Sequence, residues 1–241
     1  MDCTATDSQL IEITSGPSPT TIADVLSLME RIDSLLQSGD GLKWFNLLYL
    51  MVTQKVESSP PPGGWEDSAW LRRLDVVFAR YYFDAILDWL TNPATVPNSW
   101  KALFEARFHP GIERIQYALA GMNAHINHDL ALALLKTDAE LNLIPGKSSP
   151  GHDDFEHVNG ILEGVLPQAL EFLATGILGE LAQDTGKIGK LLAICNVRAA
   201  RDLAWEFADQ LRPLTGIARG VALTAQDQAT GALGRSLLLT V

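Results

Sequence analysis

The sequence predicts an all-α fold, a single irregular bundle of about seven or more helices, on three observations. Apolar residues recur at helical spacing, about every 3.6 positions, along most of the chain. No stretch of convincing length alternates apolar and polar residues as a half-buried strand does. Clusters of proline, glycine and serine cut the periodic stretches into helix-sized pieces.

The elements follow in order. Residues 1–19 form a polar N-terminal segment, and 20–241 a single helical domain. Thr20 or Thr21 caps a first helix carrying Ile22, Val25, Leu26, Met29, Ile32, Leu35 and Leu36 at helical spacing. Gly39 and Gly41 stop it, and Asp40 caps a second helix with Trp44, Phe45, Leu48, Met51, Val52 and Val56. Ser58 to Gly64 is a loop. A long helix then aligns Trp70, Leu74, Val77, Phe78, Tyr81, Ala85 and Trp89. Asn92 to Asn98 breaks it, and Ser99 caps a short helix through Trp100 and Phe104. Pro110 opens the next helix, where proline is tolerated in the first turn. Ile144 to Gly151 is another loop. Helices over roughly Asp153–Leu178, kinked or broken at Pro167, and Ile188–Leu211 follow. The tail after Pro213 fits helix, strand or docked coil.

Composition narrows the function. The 241 residues are 47% hydrophobic and 20% charged, an ordinary globular balance with length for a real core. A net charge of -11 argues against nucleic acid or an anionic membrane surface as partner. No run approaches the ~20 apolar residues of a membrane span. Residues 1–18 lack the layout of a secretory signal. Cys3 and Cys195 are far apart and match no ligand spacing. The expectation is a cytoplasmic protein, with room for a homo-oligomer.

The chemistry concentrates in Ala120-Gly121-Met122-Asn123-Ala124-His125-Ile126-Asn127-His128-Asp129-Leu130. On a helix, Ile115, Leu119, Met122, Ile126 and Leu130 form a central apolar strip. His125 and Asp129, four apart, stack on one edge; Gln116, Asn123 and Asn127 line the other. His128 and Glu113 fall further round, toward solvent. These borders carry compact residues suited to fixed hydrogen bonds, where an ordinary covering helix has Lys and Glu. Asp75 projects near Phe78 and Tyr82 on the long helix and needs a partner. Asn46, Tyr49 and Thr53 are spaced to share a face. Asp153, Asp154 and His157 open a later helix, where acids simply suit the dipole.

Several of these motifs resemble one bacterial family of helical domains of unknown function. They are Asp40-Gly41-Leu42 with Phe45-Asn46 and Leu48-Tyr49, Arg73-Leu74-Asp75-Val76 with Phe78-Ala79, the Ala120–Asn127 run with Asp129-Leu130, and Asp154-Phe155 with Val158-Asn159. The resemblance spans Ile22 to Leu162 and implies a helical domain, without a reaction. A fainter likeness runs to the zinc-dependent phospholipase C and single-strand nuclease group, through His125-x-x-x-Asp129. That group needs several more histidines, and of the five here His109 and His152 sit in loops.

Three readings follow. The leading one is a small-molecule enzyme using buried acid–base chemistry on a largely apolar substrate. His125, Asp129 and Asp75 are its catalytic candidates; Tyr49, Asn123, Asn127 and Tyr82 its substrate-binding candidates. No cofactor is favoured. A divalent metal, held by His125 and Asp129, belongs to the alternative of a metal-assisted hydrolase. The third reading is a non-catalytic ligand-binding or structural helical domain with a satisfied polar core. The partner in the leading case is a small apolar molecule.

Overall fold

The computed structural model describes residues 3–173 and 196–239, and the described residues are helices and their connections, without a strand. The helices are α1 Cys3–Thr14, α2 Ile22–Leu35, α3 Gly41–Glu57, α4 Ser68–Thr91, α5 Asn98–Ala106 and α6 Arg114–Ala124. One turn of π-helix, His125–Asp129, joins α6 directly to α7, Leu130–Leu141. Then come α8 Pro150–Leu173, α9 Val197–Leu211 and α10 Gly216–Leu237.

The starts of α2 to α4 are written in side chains. Thr21 accepts from the Asp24 N–H and Asp24 takes the Thr20 and Thr21 N–H groups, a capping box. Those bonds, led by the one from Thr20, draw the Asp24 carboxyl down to about 2. Asp40 caps α3 through the Leu42 N–H, and Asp67 caps α4 through that of Trp70. Asp154 accepts from the Glu66 and Asp67 N–H groups, pinning the loop before α4 onto α8.

The rod formed by α6, the π-turn and α7 is the centre of the bundle. It packs against α3, α4, α5, α8, α9 and α10. Every residue from Ile115 to His125 is buried. Gly121 permits the closest approach: a Cβ there would fall inside the Phe45 ring of α3.

Several boundaries differ from the sequence reading. Ser99 does not cap α5 but lies inside it, and α8 begins at Pro150, so that Gly151 and His152 are helical and not loop. The opening segment is a helix with Leu10 fully buried, packed on α2 and α4. α6 begins at Arg114 and not at Pro110, because Gly111, at φ 89°, turns the chain first. Pro167 neither breaks nor ends α8, which continues to Leu173. The tail resolves into α10, docked on α5 and α6. Residues 174–178 and 188–195 of the expected later helices, and Cys195, lie outside the described residues.

Candidate functional site

The two polar edges of the central rod serve different purposes. Gln116, Asn123 and Asn127 all face α10. Gln116 donates to the Leu237 and Leu239 carbonyls at 2.8 Å each. Asn123 donates to the Thr230 carbonyl at 2.9 Å and accepts from Asn127. Gln226 donates to the Asn127 carbonyl. Asn123 and Asn127 therefore do not border a cavity with His125; they fasten the last helix. Tyr82 is likewise fully buried, donating to Asn46 Oδ1 at 3.2 Å, while Asn46 donates to the Met29 carbonyl. His128 is buried and does not face solvent. The extra residue of the π-turn shifts the helical wheel by about 100°, enough to carry it inward.

The other edge meets a pocket between α3, α4, α8, α9 and the π-turn. Its empty space is about 720 Å³, counting the part open to solvent, within the range of small-molecule sites. Phe45, Val52, Met122, Ile126, Leu162 and Leu166 are among the apolar groups of the wall. The polar groups reaching it are Tyr49, Thr53, Asp75, His125 and Arg201.

His125 sits where the backbone is least regular. The Leu130 N–H bonds the His125 carbonyl five residues back, the signature of a π-turn, a feature frequent at functional positions. Its ring stacks on Phe78 with centroids 3.6 Å apart and planes 6° from parallel. The Tyr49 ring meets it edgewise at 4.6 Å. Nδ1 lies 2.9 Å from Asp129 Oδ2, which also accepts from Trp100 Nε1 at 2.9 Å. Nε2 is buried without a hydrogen bond among the described residues. Burial drives the His125 imidazole well below its ordinary range and lifts the Asp129 carboxyl to about 7, against the pull of His128 and the Trp100 bond. The imidazole is therefore neutral, held by Asp129, with Nε2 spare. Asp129 stands behind His125 and not in the pocket wall.

Asp75 is in the wall. It is half-buried on α4, and burial raises its carboxyl to about 7; Arg201 opposes that shift and Glu57 adds to it. No hydrogen bond to it exists among the described residues. The Tyr49 phenol is pushed up by burial first and then by Asp75 and Asp129, and stays neutral.

Arg201 was missed by the sequence reading. It is 6% exposed and occupies the α9 stripe Val197, Arg201, Ala204, Trp205, Ala208, Leu211. An arginine four residues from both Val197 and Trp205, in a place that periodicity reserves for an apolar side chain, was the available signal. Nε donates to Asn159 Oδ1 at 2.5 Å and Nη2 to the Phe155 carbonyl at 3.1 Å. The guanidinium lies 4.0 Å over the Phe155 ring. Burial lowers it to about 10, and Asp75 is the chief group opposing that.

These residues do not compose the zinc site of the fainter likeness. His125 and Asp129 bond one another instead of converging on one point. Among the described residues no three His, Cys, Asp or Glu side chains gather to hold a metal ion.

Residues 22–240 match the model of a family of unknown function (DUF5995). The chain belongs to that family. The match extends past Leu162 and takes in α9 and α10, so Tyr49, Asp75, His125 and Arg201 all lie within it. No curated protein and no solved structure matches the chain. Membership brings no reaction with it, and function has to be argued from the pocket. Among the described residues no helix is long and apolar enough to cross a membrane.

Proposed function

We propose that the protein is a small-molecule enzyme performing acid–base chemistry on a largely apolar substrate held in this pocket. One observation carries the reading. Asp75 is a carboxyl without a hydrogen bond among the described residues, in an apolar wall shared with a buried guanidinium, where burial pushes it up to about 7. A proton-transfer group is most effective when its pKa lies near the working pH, and apolar surroundings with one nearby charge are how proteins place it there.

The roles follow from position. Asp75 gives or takes the proton. Arg201 stabilises negative charge that develops on the substrate. The Tyr49 and Thr53 hydroxyls orient polar substrate atoms, and the apolar wall excludes water. His125, locked by Asp129 and Trp100, presents a neutral imidazole in the same wall and is the second base. Asp129 acts through His125 as a positioning residue. The charge of -11 and two isolated cysteines support a cytoplasmic setting.

The test is turnover of a panel of apolar small molecules in deuterated water, read by mass spectrometry for product and for deuterium uptake. The wild type converts or exchanges at least one compound, and Asp75→Asn loses about 10²–10⁴-fold in rate while still binding it. Compounds that bind and return unchanged and unlabelled contradict the proposal. So does an Asp75→Asn variant as fast as the wild type.

A further inference from the structure

Arg201 is a buried cation whose direct partners among the described residues are all uncharged. Its hydrogen bonds go to an amide oxygen, on Asn159, and to a backbone carbonyl, on Phe155. The carboxylates beyond it do not touch it. Glu156 accepts from Asn159 Nδ2 at 3.1 Å, and Asp202 accepts from the same nitrogen at 3.5 Å. Glu156 is also bound by Arg198. The remaining guanidinium nitrogen, Nη1, donates no hydrogen bond among the described residues, and the side chain lines the pocket. A guanidinium held flat on Phe155 by two neutral oxygens is fixed in orientation and short of an anion. Burying a charge in that state is costly unless a counter-ion arrives.

We infer that the substrate class of this pocket is an apolar monocarboxylate, its carboxylate paired with Arg201 and its hydrocarbon part along the apolar wall. The inference rests on the acid–base reading of the same site and adds what is bound there. One cation reaches the pocket among the described residues, which suits one negative charge. A dianion such as a phosphate monoester would face Asp75 with only half its charge met, in a protein already carrying -11. Val52, Val56, Met122, Ile126, Leu162 and Leu166 offer nothing polar to the rest of the ligand.

Asp75 gives the binding a proton signature. Two carboxylates sharing a site cannot both stay ionised. The incoming acid therefore arrives as its anion, the fraction of Asp75 still ionised takes its proton from solvent (up to about half a proton per site near pH 7), and the Asp75 O–H donates to the bound carboxylate. Among the described residues the groups facing Asp75 are Arg201 from α9, Tyr49 from α3 and the uncharged His125 of the π-turn, while Glu57 of α3 acts on it through charge alone; α8 contributes only apolar side chains to the wall. Substrate binding thus loads the acid that the reaction uses.

Calorimetric titration with decanoate, 1-decanol and decylamine tests this near neutral pH, in two buffers of different ionisation enthalpy. The wild type binds decanoate about tenfold or more tightly than decanol or decylamine, and the buffer dependence shows net proton uptake. Arg201→Gln removes the preference and Arg201→Lys retains part of it. Equal or tighter binding of decanol or decylamine overturns the inference, as does a preference that survives in Arg201→Gln, or no binding of any probe. If Arg201→Gln does not fold, the wild-type series decides alone. A carboxylate preference without chemistry would leave this inference standing and remove the catalytic reading. Turnover of neutral compounds, lost in Asp75→Asn, without any carboxylate preference would do the reverse.

Discussion

Two buried arginines sit in opposite circumstances. Arg107, 2% exposed, donates from Nε and Nη2 to the two oxygens of Asp40 at 2.7 and 2.6 Å, and from Nη1 to Asp7 at 2.9 Å. Its own carbonyl takes the Gly41 N–H at 2.7 Å, and Asp40 also caps α3. Burial pulls the Arg107 guanidinium down, but the bonds and charges of Asp40 and Asp7 outweigh it and carry it above its usual value. Arg201, at 6% exposure, has no carboxylate in contact among the described residues, and burial wins. Each of the three Arg107 donor nitrogens has its anionic partner, and the cluster ties α1, α3 and the end of α5 together. Among the described residues the pocket keeps a cation without an anion, and a carboxyl and an imidazole nitrogen without a hydrogen bond. A buried polar group that is matched holds the fold; one left unmatched beside a cavity is available to a ligand.

The largest effect comes from breaking the matched end. Arg107→Met leaves Asp40 buried and uncompensated, at a cost of about 3–5 kcal/mol, and the melting temperature falls by roughly 6–20 °C. Arg201→Met removes a charge that had no anion, and so costs far less. Scanning calorimetry on both variants checks the comparison, which fails if the two lose equal stability.

Gly121→Val tests the packing that holds α3 against the central rod. Its side chain must displace Phe45, and the overpacking costs about 1–3 kcal/mol. Because Phe45 is also pocket wall, the loss appears in melting temperature and in ligand affinity together.

Asp75→Asn has the opposite sign. The Asp75 pKa in the folded protein, about 7, lies above the 3.8 of an unperturbed aspartate. The folded state therefore holds a proton that the unfolded state has released. That costs the wild type stability progressively from about pH 4 to pH 7, then by a constant amount. The asparagine variant does not titrate. It melts higher than the wild type, with the gain growing across that window and level above it. Melting curves at a series of pH values read this directly, and no gain at alkaline pH would show that Asp75 is not held uncharged. Lys147→Ala is the smallest change. Its pair with Glu206 is exposed, at 58% and 51%, and spans 3.3 Å, so stability shifts by less than about 1 kcal/mol.

The fold was legible because helical periodicity reports burial directly. Thr21 and Asp40, expected as caps, do cap α2 and α3, while the Asp67 cap of α4 was not read from the sequence. The tail was not legible, because α10 is glycine-rich and weakly amphipathic and is held by Gln116 and Asn123 from another helix. The site was half legible. Asp75, Tyr49 and His125 line one pocket, and the helical wheel places His125 on an edge of its strip and Asp75 near Phe78; Asp129, expected in the same cavity, is not in its wall. The same wheel put His128 outside because it cannot foresee a π-turn. It assigned Asn123 and Asn127 to the pocket because it shows which edge a residue occupies, and not which neighbour meets that edge. Its place in an apolar stripe marks Arg201 as buried, but that α9 and α4 bring Arg201 and Asp75 to one pocket is a long-range fact that no local pattern encodes.

The central claim is that Asp75 stays protonated in the folded protein up to neutrality, as the free acid–base group of the pocket. Infrared difference spectra between wild type and Asp75→Asn, followed through the pH range, test it most directly. The account predicts a protonated carboxyl band that disappears with a midpoint at about 7, and that persists to higher pH when decanoate is bound. A midpoint near 4, the ordinary value for an exposed aspartate, would contradict it.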